Sequence, residues 1–87
     1  MANPDELIEV GKRLRALSDA DLEALLRRGA EEREQTLVIE QRGPDDWFAG
    51  FVTYDDPAVE SVTHLSAQAS TRRTAVEELA FGVLAGI

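Results

Sequence analysis

Apolar residues fall first at Leu7, Val10, Leu14 and Leu17. Steps of three and four mark one face of a helix. Asn3, Pro4 and Glu6 supply a cap, a first-turn proline and a capping-box acid for its start. Ser18 offers a second cap, with Asp19 and Asp21 behind it, and Leu22, Leu25 and Leu26 form the next apolar stripe. Gly29, after Arg27 and Arg28, reads as a helix stop. Residues 4–28 therefore predict two short helices joined near Ser18, or one helix kinked there. Residues 30–35 are charged and read as a frayed turn or linker.

At Thr36 the period changes. Residues 36–41 are rich in β-branched side chains and predict a strand. Gly43, Pro44, Asp45 and Asp46 make a turn, residues 47–54 a second strand, and Asp55, Asp56 and Pro57 another break. Residues 59–69 alternate loosely and predict a third strand. Ser70 and Thr71 offer a cap for a last helix over 71–86, with Ala75, Val76, Leu79, Ala80, Val83 and Leu84 as its buried stripe. The order predicts one α+β domain over residues 1–87. It has an N-terminal helix pair, a three-stranded antiparallel meander over 36–69, and a C-terminal helix packed on the sheet.

Composition narrows the function. Seventeen acidic residues against nine basic ones give a net charge of -8 and a pI near 4.5. That balance argues against direct binding to nucleic acid, which needs basic groups for the phosphates. Without cysteine, and with one histidine, a thiolate zinc site, a Cys nucleophile and a His-triad metal site are excluded. No phosphate-binding glycine pattern or calcium loop is present, so no cofactor and no metal is expected. The N-terminus has no basic n-region or apolar h-region. The longest apolar run, nine residues from Leu79 to Ile87, is short of the roughly 20 needed to cross a membrane. The expected location is the cytoplasm, or the host cytoplasm for a phage-encoded chain, with no membrane partner.

The candidate chemistry is sparse. His64 lies in a strand with no suggested nucleophile or carboxylate partner, so a plain strand residue is expected there. The acidic groups fall in three clusters: Glu31, Glu32 and Glu34; Asp45 and Asp46; and Asp55 and Asp56. They either solvate loops or meet a basic patch on a partner. Trp47 and Phe48 are strand neighbours and point to opposite faces. If all helices share one side, the other aromatic belongs to a binding face; alternatively, the N-terminal helices cover that side. Arg72 and Arg73 open the last helix, where cations oppose the dipole, and read either as a tolerated surface pair or as an anion contact. From Leu79 onward the last helix is apolar all round. Either the first helices cover it or Phe81 contributes to a homodimer seam.

The C-terminal half resembles the HicB-type antitoxin domain. The likeness rests on Leu37, Val38, Ile39 and Glu40, followed by Asp45, Asp46, Trp47, Phe48, Ala49, Gly50, Phe51 and Val52. It continues through Asp55, Asp56 and Pro57, a strand over 62–69, and a Thr-capped helix with Thr71, Ala75, Glu77 and Glu78. The resemblance implies a non-enzymatic protein that inhibits a toxin by occlusion. The topology is also similar in shape to double-stranded RNA-binding domains, without their basic residues.

No set of residues assembles a nucleophile, base and oxyanion site, so an enzyme is not expected. The expected function is a small acidic regulatory protein that binds and inhibits a protein partner with a basic surface, HicB-like in type. The alternatives are a phage-encoded, anti-CRISPR-like inhibitor of a host defence complex, whose acidic surface mimics nucleic acid, and an accessory domain with its own oligomeric role. Asp45, Asp46, Trp47, Asp55, Asp56, Arg72, Arg73 and Phe81 are the candidate partner-binding residues.

Overall fold

A computed structural model describes residues 4–54 and 61–85. Their order is α1 (Pro4–Ala16), α2 (Asp19–Glu32), β1 (Thr36–Gly43), β2 (Asp46–Thr53), β3 (Val62–Ala69) and α3 (Arg72–Ala85). The sheet is an antiparallel meander in the order β1-β2-β3, with α3 packed on it. This is the α+β layout expected from the sequence. Asn3, Asp55 and Asp56 lie outside the described residues.

The helix pair breaks where Ser18 predicts. Its backbone is extended, and its Oγ accepts the Asp21 amide at 3.1 Å, which satisfies one orphan donor of α2. Gly29 does not stop α2, which continues to Glu32. The glycine is buried, and a Cβ there would meet Phe51 Cζ at 3.5 Å and Val83 Cγ1 at 3.8 Å, which is ordinary contact. The stop comes five residues later. There the Glu34 amide donates to Glu31 O at 3.1 Å and the Gln35 amide to Ala30 O at 2.8 Å. This is a Schellman closure with Glu34 in the left-handed position, at φ 56°. At the other helix start, Thr71 Oγ1 accepts the Thr74 amide at 3.2 Å, as its cap position predicts.

One face of the sheet builds the core. Leu37 and Ile39 of β1, Trp47, Ala49 and Phe51 of β2, and Leu65, Ala67 and Ala69 of β3 share that face by register. They pack with Leu14, Leu22, Leu26 and Ala30 of the first helices and Ala75, Val76, Leu79 and Ala80 of α3. Phe51, Leu22 and Leu26 are completely buried. Leu84 departs from its expected place in the buried stripe and is 49% exposed. The sheet, α2 and α1 already occupy the other sides of α3.

Among the described residues no helix crosses to the second face of the sheet. Both N-terminal helices pack on α3, on the same side as the core. The expectation that they cover the far side is therefore corrected. The far side is closed instead by its own side chains. Phe48 is only 5% exposed there. Its ring lies over Gly50, where a Cβ would come within 2.7 Å of Phe48 Cζ and 3.1 Å of Leu65 O. The Arg42 guanidinium stacks 3.8 Å above the ring and is held by Glu40 at 2.8 Å. Gly50→Ala should therefore lower stability by about 1–3 kcal/mol, the usual range for overpacking. A denaturant midpoint equal to the parent's would mean that the ring has free room to move.

Candidate functional site

The structure brings Arg72, Arg73, Asp45, Asp46 and Trp47 to one end of the sheet and sets Glu31, Glu32 and Glu34 at the other. Arg72 and Arg73 stand in the first turn of α3, where a cation is locally unfavourable. Asp19 and Glu23 are one turn apart on α2 and so share a face of that helix. Arg72 pairs with Glu23, and Arg73 Nη1 reaches Asp19 Oδ1 at 2.8 Å. Arg73 Nε also donates to Glu77 Oε1 at 2.9 Å. Its Nη2 donates to the carbonyls of Leu14 and Arg15 at 3.1 and 3.3 Å at the end of α1, where Leu14 O also accepts the Leu17 amide at 3.2 Å. One guanidinium thus ties the corner between α1 and α2 to the start of α3. The Asp19 hydrogen bond raises the Arg73 pKa above its ordinary value. Partial desolvation opposes this, and Glu77 adds to it. The group stays charged throughout the working pH range. Both arginines are therefore occupied within the chain.

The β1–β2 hairpin lies at the same end of the sheet as the start of α3, because Trp47 pairs with Ala69. Gly43 faces Asp46, which leaves Pro44 and Asp45 as the turn. Asp45 and Asp46 are exposed. Trp47 packs its ring side against the core and is only partly covered. Phe81 is about 13 Å further along α3. It is half-buried and lines an open groove of about 220 Å³ with Gly11, Leu14 and Glu77, so α1 supplies part of its cover.

The opposite end holds a different arrangement. Glu31 and Glu32 occupy the last turn of α2, which contains no basic residue, and Glu34 follows in the left-handed position. All three are exposed. Carboxylates at a helix C-terminus oppose the dipole, and a left-handed non-glycine residue adds backbone cost. Arg33, the nearest cation in sequence, turns away. Its Nη1 donates to Gly29 O at 2.9 Å, and its guanidinium lies 5.6 Å from the Phe51 ring. Among the described residues none of the three carboxylates forms an ion pair. Exposed Tyr54 stands at this same end, since Thr36 pairs with Val52.

His64 sits where the pairing of β2 with β3 shifts between Phe51 and Val52. Its Nε2 is 2.9 Å from Thr53 Oγ1, and the ring is exposed. Among the described residues no three His, Asp or Glu side chains are grouped to hold a metal ion. No described helix is long and apolar enough to cross a membrane.

The role of Arg73 was open in the sequence, although the Asp19–Glu23 spacing opposite an Arg-Arg pair is a readable sign of it. The Glu34 conformation has no local signal, because glycine is the usual residue there. Replacing Arg73 by Ala should cost about 1–2 kcal/mol, in line with charged hydrogen bonds that are partly screened by water. Arg73→Lys should recover less than half of that, because one ammonium cannot span four acceptors. Urea titration of both variants checks this, and equal midpoints for Lys and Arg would refute the clamp.

No family model matches the chain, and no curated protein or solved structure does so either.

Proposed function

We propose that the chain is a non-enzymatic inhibitor that binds a protein partner through carboxylates meeting a basic surface. The observation that supports this is the uneven use of charge. Five of the basic side chains, Lys12, Arg27, Arg42, Arg72 and Arg73, form intramolecular ion pairs. Glu31, Glu32 and Glu34 stay exposed at the end of α2, at a local cost to the fold. Groups that break local rules without an internal compensation are expected where function requires them. Asp45 and Asp46 at the hairpin form a second, separate acidic end. The HicB-type resemblance makes a toxin the first partner to test. A phosphate-mimicking phage inhibitor of a host defence complex is the other reading, and competition by nucleic acid for the same partner distinguishes it.

The experiment combines binding with stability. The protein encoded beside this chain is purified, and its association is followed at low and high salt. Glu31→Gln, Glu32→Gln and Glu34→Gln together should slow association by about tenfold or more and flatten its salt dependence. Glu34→Gly should raise stability by up to about 1 kcal/mol, because it relieves the left-handed residue and removes a charge near the helix end. The same change should weaken binding. If Glu34→Gly stabilises the chain and leaves binding to a confirmed partner unchanged, the α2 end is not the interface. The Asp45 and Asp46 variants then locate it.

A further inference from the structure

α1 differs from the rest of the chain in charge. Its acids, Asp5, Glu6 and Glu9, all precede its bases, Lys12, Arg13 and Arg15, so the helix is neutral within a chain of net charge -8. That order complements the helix dipole. The dipole does not account for the apolar side chain set among these charges, since Ile8 is 54% exposed. Asp5, Ile8, Lys12 and Arg15 recur at steps of three and four, so they share one face, and all four are exposed. α1 packs on α3 with a different side, which turns Val10 and Leu14 into the core. Among the described residues Asp5 and Arg15 form no ion pair.

We infer that this face of α1 docks antiparallel on α1 of a second copy, across a two-fold axis beside Val10. Asp5 then lies level with Arg15 of the copy, and Ile8 with Lys12 of the copy. Charge selects this occupant and its direction. A basic surface is repelled by the second half of α1, and an acidic surface by the first. A matching partner carries both signs in the reverse order, at helical spacing, with an apolar residue between them. An antiparallel copy of α1 has that pattern. A parallel copy sets acid on acid and base on base.

The centre of the contact fits the same arrangement. In this register Ile8 falls one residue from the level of Gly11 of the copy, a rise of about 1.5 Å. Gly11 has no side chain to exclude it. The Arg15 guanidinium lies over that glycine in the single chain, with Nη1 3.5 Å from where a Cβ would stand. Docking moves it off the glycine to Asp5 of the copy. The two Glu9 side chains flank the axis, and each brings its own Lys12, 3.8 Å away, so the centre stays neutral. Glu78 belongs to α3, behind α1, so the α1 pair stands between the two copies of it.

The test uses the full chain. Thirteen residues make a contact only about 20 Å long, so concentrated protein is needed. Sedimentation at about 1 mM should show the mass of two chains at low salt, and less of it in about 1 M salt, which screens exposed charges. Asp5→Arg and Arg15→Asp should each weaken self-association by about tenfold or more, because like charges then meet across the axis. Mixed together, these two variants present opposite charges at both positions and should form a two-chain species holding one of each. Charges that serve only the helix dipole give no gain on mixing. Gly11→Gln separates the contact from helix stability. Glutamine is the better helix former, and its Cβ meets Arg15 at ordinary contact, so the melting midpoint of dilute protein should rise. The dimer should nonetheless weaken by about tenfold or more, because the seat of Ile8 is filled. A wild-type mass of one chain at low salt and the highest concentration overturns the proposal. So does a dimer that Gly11→Gln leaves intact, or a mixture of the two charge variants that fails to associate.

Discussion

The rest of this fold depends on the way Arg73 joins three helices at one corner. The end of α1 presents the Leu14 and Arg15 carbonyls, the first of which also holds the Leu17 amide, and α2 begins beside them with Asp19. A single planar guanidinium satisfies both needs while Glu77 holds it from its own helix. The corner fixes where Leu14, Leu22 and Leu26 arrive over Phe51. Arg72 repeats the contact one position earlier with Glu23, so the unfavourable cations at the start of α3 are neutralised by the helix that α3 must meet. In a short chain with a small core, an ion-pair corner of this kind sets helix orientation, and burial supplies most of the stability.

The sheet is closed from its two sides by different means. On the inner side, small residues let the layers approach. Ala49, Ala75 and Ala80 are completely buried, and Gly29 brings α2 against Phe51 and Val83. On the outer side nothing in the helix layer is available. Phe48 therefore folds down on Gly50 and takes Arg42 as its lid, with Glu40 neutralising the lid. That arrangement turns an aromatic expected to mark a binding face into a self-contained cover. It also explains why this face presents charge to solvent at Glu40 and Arg42.

The elements were largely legible because local chemistry and packing agree on them. Ser18 and Thr71 cap helices as read, the hairpin turns at Pro44 and Asp45, and the β-branched run beginning at Thr36 pairs with the aromatic strand. The errors come where a long-range contact overrides a local sign. Gly29 reads as a stop, but it is buried within α2 beside Phe51 and Val83, and the real stop falls on Glu34. Leu84 fits a helical stripe, yet the partners of α3 are already in place by that turn. The candidate site was less legible for the same reason. Arg72 and Arg73 look free of α2 in sequence because Glu23 and Asp19 lie some fifty residues earlier (Asp19 is 54 positions from Arg73). Glu31, Glu32 and Glu34 read as linker until the helix that they terminate is seen.

These placements divide the surface by charge in a way that bears on how the chain can associate. Clusters of exposed carboxylates stand at the end of α2 and at the hairpin, while β3 along the side carries none. Charge at the ends favours fast, salt-sensitive encounter with a basic surface. A neutral strand edge favours pairing through backbone groups, which long-range fields do little to steer. The two modes use different residues and different physics.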